Sequence, residues 1–461
     1  MNKKTIGLVA AIVIGVAIAM ITPFNGLTTA SMYFAGIFVG TIILLLTQAT
    51  LDWVAVIVAC ALLVLTGVGT VAEVFATFSG GTVWLIIMVF AFAAAIGKTG
   101  LLTRIALKIL SVFPRNYRGA VMAMMTSGIV VSPLIPSVNA KVNILIPIAT
   151  SVTEEVGLKE RSKGALGLFS ACYLPAFLGG NAFISGSAYV AFILGFITDR
   201  SFNLASWFVA ACVWFVVIMI ATYIWCMTYC KPKEKFELSE TFYADRLKAL
   251  GPMSKNEKLA AIVLFVCLIL WSTNPIHHLD TGMIGWTAIG VFAIAGVINT
   301  QDFSTRIPWS LIVFLGGLMG MAGFFAKLGW NGFISSSLAA VVAPVVSSPW
   351  IFVPFLCVFT YLLRFVIIEQ TPCLLIIVAI FSPLMEAAGI SLFVLVFVEF
   401  MSSMVWNVPY QNVFPLATLQ IAGGKYVTFN ELRKDSFMFM AANLVGMVAS
   451  IPLWQVLGLI H

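Results

Sequence analysis

The chain has 461 residues, 61% of them hydrophobic and 9% charged, with a net charge of +7 and a mean hydropathy of +1.07. A soluble domain carries roughly 25% charged residues, so the composition excludes a soluble protein and indicates an integral membrane protein. Long apolar runs, without strands that alternate apolar and polar side chains, exclude a β-barrel and indicate an all-α polytopic fold. The positive charge follows membrane sidedness and gives no reason to expect nucleic acid as a partner.

The N-terminus, Met1 to Lys4 ahead of an apolar run, has the charge pattern of a signal peptide. No small-residue cleavage site clearly follows and many further apolar runs do, so it is read as the first span. Full spans are expected at about 6–22, 31–47, 52–68 and 82–110. A basic stretch leads into a broken segment, 119–153. Spans follow at about 164–197, interrupted near Gly179-Gly180-Asn181, and at 203–229. A charged linker, 231–258, precedes further spans at about 259–273, 281–298 and 308–328. A surface helix near 330–345 and a second broken segment, 349–388, come next. The last spans are about 390–423, interrupted near Asn407-Val408-Pro409-Tyr410-Gln411-Asn412, and 436–459. The linker's Phe236, Phe242, Leu247 and Leu250 suit an amphipathic helix on the membrane surface, although a solvated linker fits equally. The eight cysteines are scattered and lack histidine partners; even Cys226 and Cys230, four apart, are a weak metal signal. No metal and no cofactor are expected.

The stretch around Pro133-Leu134-Ile135-Pro136-Ser137-Val138-Asn139-Ala140-Lys141 puts prolines, short polar side chains and a lysine inside an apolar run. A cation at bilayer depth costs roughly 3 kcal/mol on insertion scales. Broken backbone survives at that depth only where protein buries it or a wet cavity receives it. A comparable stretch recurs at Arg364-Phe365-Val366-Ile367-Ile368-Glu369-Gln370-Thr371-Pro372. Two full crossings need about 40 residues plus a turn, so each segment reads better as a re-entrant hairpin whose polar tip lies mid-membrane than as two spans. That leaves about 11 transmembrane helices plus two hairpins.

Charge sets the orientation. With the N-terminus in the cytoplasm, only Arg200 and Lys327 of the 25 lysines and arginines fall outside, while Lys141 and Arg364 lie within the hairpins. This is the positive-inside pattern, and it places the C-terminus outside. The two halves repeat: Ala95-Ile96-Gly97-Lys98-Thr99-Gly100 returns loosely as Phe325-Ala326-Lys327-Leu328-Gly329, followed by hairpin and interrupted span in the same order. An odd number of spans per repeat inverts the second copy. The two tips then approach from opposite sides, the arrangement of a secondary transporter.

At the first tip Ser137, Val138 and Asn139 offer a hydroxyl, an amide and the free N–H groups of a helix start, which attract anions, and Lys141 adds a full charge. At the second, Gln370 and Thr371 are the equivalents. Arg364 can hold a substrate carboxylate, or neutralise Glu369 or Glu399 in an ion pair. In the interrupted spans Asn181, Ser185 and Ser187 match Asn407, Gln411 and Asn412; with the unwound backbone at Pro409 they suit substrate hydroxyl and carboxylate groups, a cation, or a kink at Gly179-Gly180 and Pro409 satisfied locally. No P-loop and no catalytic histidine cluster is present, so an ATP-driven pump and an enzyme are not expected.

At these residues the chain resembles the divalent anion/sodium symporter (DASS) family of INDY-type dicarboxylate and citrate carriers. The resemblance covers nearly the whole length. Family members carry Ser-Asn-Thr at each tip with a proline further along the returning leg. Here Ser137-Val138-Asn139, with Pro147 at that spacing, and Glu369-Gln370-Thr371 stand in those places, and Pro409-Tyr410-Gln411-Asn412 resembles the family's later break. Neither tip keeps the motif intact, and a fixed cation stands near each, Lys141 and Arg364. That pattern is more similar to the dicarboxylate exchanger branch, and it implies cations that balance charge in place of sodium.

The resemblance further implies a homodimeric elevator in a bacterial cytoplasmic membrane. Its scaffold would comprise 1–97 and 259–328. Interfacial helices at 98–118 (cytoplasmic) and 330–345 (outer) would join it to a transport domain made of the hairpins 119–153 and 349–388 with 164–230 and 390–461. The expected activity is sodium-independent exchange of C4–C5 dicarboxylates such as 2-oxoglutarate, malate and succinate. A sodium- or proton-coupled symporter of the same fold, or an anion channel, are the alternatives.

Overall fold

The computed structural model describes residues 3–461 except 136, 347, 368 and 410. Among the described residues every regular element is helical. Eight helices among the described residues are long and apolar enough to cross a membrane, and four shorter apolar helices accompany them. The eight include both legs of the second hairpin, Pro349–Val366 and Gln370–Ala387. Re-entrance is therefore not decided by leg length there. The legs of the first hairpin are Tyr117–Val131 and Val138–Val156.

The two repeats are legible helix by helix. Thr29–Thr47, Asp52–Leu65 and Gly81–Thr99 in the first half correspond to Lys255–Ser272, Thr281–Ile294 and Trp309–Lys327 in the second. The apolar run expected as one span over 82–110 is two helices. Gly100 adopts φ 83°, a left-handed conformation that favours glycine, and the chain turns into the amphipathic helix Leu101–Val112. Gly329, at φ 80°, makes the same turn before Trp330–Val346.

The halves are stapled to each other at both turns. Lys98 Nζ lies 2.6 Å from Asp302 Oδ2, and Lys327 Nζ lies 2.6 Å from Glu73 Oε1. Each acid is also the third residue of a capping box, Thr70/Glu73 and Asn299/Asp302, on a short helix of the opposite repeat. The hydrogen bond from Lys98, helped by the capping N–H and by Arg306, holds the Asp302 carboxyl down at about 2; Lys327 and Thr70 do the same for Glu73. A depressed carboxylate contributes stability above its unfolded value and loses it only as pH falls toward about 2, so both pairs are intact at neutral pH. The first turn of each connecting helix also docks on the cap of the other repeat's first span. Arg104 Nε donates to Glu257 Oε1 at 2.8 Å, and Trp330 Nε1 donates to the Ser31 carbonyl at 3.0 Å.

Each hairpin clasps the first half of a broken span. The first packs on Lys163–Phe177 and the second on Leu392–Ser403. After its break each span resumes as a shorter helix, Ala188–Ile193 and Val413–Ile421. The long helices Leu204–Thr228 and Phe429–Val456 pack together behind the breaks. Tryptophans satisfy the polar groups there: Trp207 Nε1 donates to the Asn181 carbonyl at 3.1 Å and Trp406 Nε1 to the Leu432 carbonyl at 2.7 Å. Asp435, fully buried, accepts from Ser170 Oγ and Trp225 Nε1, each at 2.7 Å.

The linker is tied to the first repeat. Its helix Phe242–Ala249 docks on Leu101–Val112 and buries Phe242 and Tyr243 against protein.

The Lys98–Asp302 staple predicts a reciprocal outcome. Lys98→Asp or Asp302→Lys alone should lower the thermal unfolding midpoint of the purified protein, and the exchanged pair should recover the ion-pair part of the loss but not the helix cap or the Arg306 contact. Detergent-solubilised thermal unfolding of the three variants checks it.

Candidate functional site

The first tip is built to hold one ammonium group. Helix Lys163–Phe177 ends at Leu178, and two short 3₁₀ turns, Gly179–Ala182 and Ile184–Gly186, carry the chain to Ser187. The last carbonyls of a helix lack partners and carry its negative dipole end. Lys141, one turn into the returning leg, meets them. Its Nζ donates to the Gly186 carbonyl at 2.7 Å and to the Ala176 carbonyl at 3.2 Å, and the residue is fully buried. The lysine thus bridges the two ends of the break.

Only glycine fits around it. A Cβ on Gly180 would stand 2.4 Å from Lys141 Nζ and 2.8 Å from the Gly186 carbonyl oxygen. One on Gly186 would stand 2.4 Å from the Gly180 oxygen and 2.9 Å from that of Ser132. Ser132 in turn donates to the Pro175 carbonyl at 3.0 Å, binding the tip to the same helix end.

The second tip repeats the device with a guanidinium. Arg364, fully buried, donates from Nε to the Ser403 carbonyl at 2.8 Å and from one NH group to the Ile367 carbonyl at 2.9 Å. Its other NH group bonds the Gln411 carbonyl across the break. Gln411 answers by donating from Nε2 to the Arg364 carbonyl at 3.0 Å, while its Oε1 accepts from the Asn407 N–H at 2.8 Å. Gln370 Nε2 reaches the Ser403 carbonyl at 3.4 Å. Both cations therefore occupy equivalent places, spanning the carbonyl ends of a broken helix.

The remaining candidates divide. Ser137 caps the returning leg by accepting from the Ala140 N–H at 3.3 Å; Val138 is buried behind it, and Asn139 is exposed. Asn181 is turned into the protein, donating to Met404 Sδ at 3.1 Å, and so joins the first break to the second. Tyr173 and Phe177 pack on Trp406 across the same seam. Ser185 is half-buried and Pro409 exposed. Asn412 caps Val413–Ile421 through Oδ1; among the described residues its buried Nδ2 and the buried Asn407 Oδ1 have no hydrogen-bond partner. Glu399 is fully buried beside Cys373, and among the described residues neither carboxylate oxygen has a geometric hydrogen-bond partner, whereas Glu369 accepts from Gln48 Nε2 at 3.2 Å.

The tips face different spaces. Pro133 and Leu134 at the first tip abut Met88 and Phe92 of Gly81–Thr99 in a small apolar cavity, together with Ser185. Glu369 and Thr371 at the second line a wetter cavity of about 310 Å³ against Asp52, Tyr189 and Ser310. Asp52 and Gln48 escape a motif search, because they sit in an ordinary turn between two early helices. The carbonyls that receive Lys141 and Arg364 carry no side-chain signature at all.

This architecture, two helical hairpins clasping two broken helices in a twofold repeated helical chain, defines a secondary transporter rather than an enzyme. Residues 2–460 match the family described as "Sodium:sulfate symporter transmembrane region", and the chain belongs to that family, the divalent anion/sodium symporters. It is thus a multi-pass membrane transporter. It is similar to the chloroplastic dicarboxylate transporter 1 of Spinacia oleracea, 27% identical over 73% of this chain and 61% of that protein. It is similar also to the putative malate transporter YflS of Bacillus subtilis, 25% identical over 74% of this chain and 73% of that protein. The L-tartrate/succinate antiporter of Escherichia coli is 23% identical over 68% of this chain and 65% of its own. The fold is shared with the crystal structure of the Alcanivorax borkumensis YdaH transporter, with a TM-score of 0.55 at 16% identity, covering 89% of this chain and 99% of that one.

The glycine cradle predicts that Gly180→Ala, which pushes a methyl into the Lys141 ammonium, lowers transport at least about tenfold. Gly97→Ala, whose Cβ meets nothing within 4 Å, should leave transport unchanged. Lys141→Met, which strips two carbonyls of their donor, should cost about 1–3 kcal/mol of stability for each. Reconstituted transport rates and thermal unfolding check the three.

Proposed function

We propose that the protein exchanges C4–C5 dicarboxylates across a bacterial cytoplasmic membrane without sodium, Lys141 and Arg364 standing where coupling cations would bind. The observation that carries the reading is their placement: each buried cation bridges the carbonyl ends of a broken helix, as a sodium ion would. The spinach, Bacillus and Escherichia relatives, named for dicarboxylates, malate, and tartrate and succinate, support the substrate class, and the antiporter among them supports exchange.

In this reading the scaffold is 1–97 with 259–328. The hairpins, broken spans and last long helices form a transport domain that moves as a body, with both termini and the homodimer arranged as the charge pattern and the family imply. Substrate is held by Ser137, Asn139, Gln370 and Thr371 from the tips and by the unspent amide groups of Asn407 and Asn412 at the second break. The empty domain carries the buried charges of Lys141 and Arg364 and crosses poorly; a bound dicarboxylate offsets charge at the tips, and the loaded domain crosses readily. That asymmetry makes exchange obligatory.

The test is uptake of radiolabelled succinate or 2-oxoglutarate into proteoliposomes, empty or preloaded with unlabelled dicarboxylate, in sodium and in choline buffer. Uptake confined to preloaded vesicles and equal in both buffers is expected. A sodium gradient that drives uptake into empty vesicles would overturn the reading. Lys141→Ala and Arg364→Ala should each abolish exchange; intact exchange at unchanged affinity would remove their proposed role.

A further inference from the structure

The cavity at the second tip has the wrong charge for a fully ionised dicarboxylate. Its lining presents the carboxylates of Asp52 and Glu369 and the hydroxyls of Ser310, Thr371 and Tyr189, and among the described residues it contains no lysine, arginine or histidine. Glu369 stands where the family motif has serine. It is the cap residue of Gln370–Ala387, yet its side chain caps nothing. It faces the cavity two residues from Thr371 and accepts from Gln48 Nε2.

The charged groups around it are accounted for on every side. Asp52 opens Asp52–Leu65 across the cavity, and Gln48 ends Thr29–Thr47. Tyr189 comes from the resumed half of the first broken span and Ser310 from the start of Trp309–Lys327. Behind the tip, Arg364 directs hydrogen bonds to the carbonyls of Ser403, Ile367 and Gln411 while its charge still acts on Glu369, and Glu399 is enclosed on Leu392–Ser403. The space a substrate can enter at this tip therefore offers acceptors and hydroxyls. A carboxylate brought against Glu369 and Asp52 is repelled unless a proton lies between them, since two carboxylates sharing one site do not both stay ionised.

We propose that Glu369 makes this tip select a proton-bearing end, so that each dicarboxylate crosses with one proton held between its carboxyl group and Glu369. The proton enters from water with the substrate, sits in an O–H···O⁻ bond during the crossing and leaves with the substrate on the far side. No other bond is made or broken. Exchange then swaps one proton along with one dicarboxylate in each direction. The inference rests on the exchange reading above.

The experiment uses proteoliposomes preloaded with succinate, with the same pH on both sides. Labelled succinate uptake should fall at least about tenfold between about pH 6 and about pH 8, as the half-protonated acid becomes scarce. Succinamate keeps one carboxylate and replaces the other by a hydrogen-bond-donating amide at every pH. At about pH 8 it should inhibit uptake more strongly than unlabelled succinate does. In Glu369→Gln, which keeps the length and a partner for Gln48, both the pH dependence and the advantage of succinamate should vanish.

Wild-type uptake that is independent of pH, succinamate that competes no better than succinate, or a Glu369→Gln variant with the wild-type profile would each overturn the proposal. The succinamate comparison needs only the wild-type protein, so a variant that fails to insert does not remove the test. Exchange that proceeds without these signatures sinks this inference alone, whereas no exchange at any pH sinks the reading on which it rests.

Discussion

A helix that stops inside an apolar protein leaves carbonyl oxygens without donors, and water is not there to supply them. This chain does so twice, at Leu178 and at Met404, and each time it answers with a cation delivered by the clasping hairpin. Lys141 and Arg364 are costly to bury, but the carbonyls they meet are equally costly to leave alone. Each solves the other's problem. Glycines at 180 and 186 admit no methyl group because Lys141 and the carbonyls of the break already fill that space.

Around this core the molecule follows the logic of its repeat. The tips are matched in role and different in chemistry: an ammonium takes two carbonyls, while a planar guanidinium takes carbonyls on both sides of its break. The same twofold logic staples the halves. A lysine at the end of one long helix meets an acid that already caps a short helix of the other repeat, and this happens once in each direction. Side chains that cap a helix and form an ion pair at once leave few alternative arrangements. A body against which hairpins can be held, or moved, needs such fixed geometry.

Much of this was legible beforehand. Prolines, a lysine and small polar residues inside an apolar run have no place in a plain span, and that conflict marked both tips and both breaks. The repeat showed in Lys98-Thr99-Gly100 and Lys327-Leu328-Gly329, where a basic helix end and a turn-forming glycine recur together. Where a helix stops was less legible. The run over 82–110 is apolar throughout, and only the left-handed Gly100 divides it. The linker's aromatic residues gave no hint of their partner, because Leu101–Val112, which buries them, is far away in sequence.

The sequence by itself determined that this is an all-helical, twice-repeated membrane transporter with two polar tips, because composition and local residue chemistry decide where a chain can lie in hydrocarbon and where its helices must break. Only the tertiary structure decided what each charged residue touches. The acceptors of Lys141 and Arg364 are backbone carbonyls, identical in every residue, and Glu369 meets Gln48 and Asp52 across more than three hundred positions of sequence. Partners of that kind are chosen by packing, and no pattern along the chain encodes them.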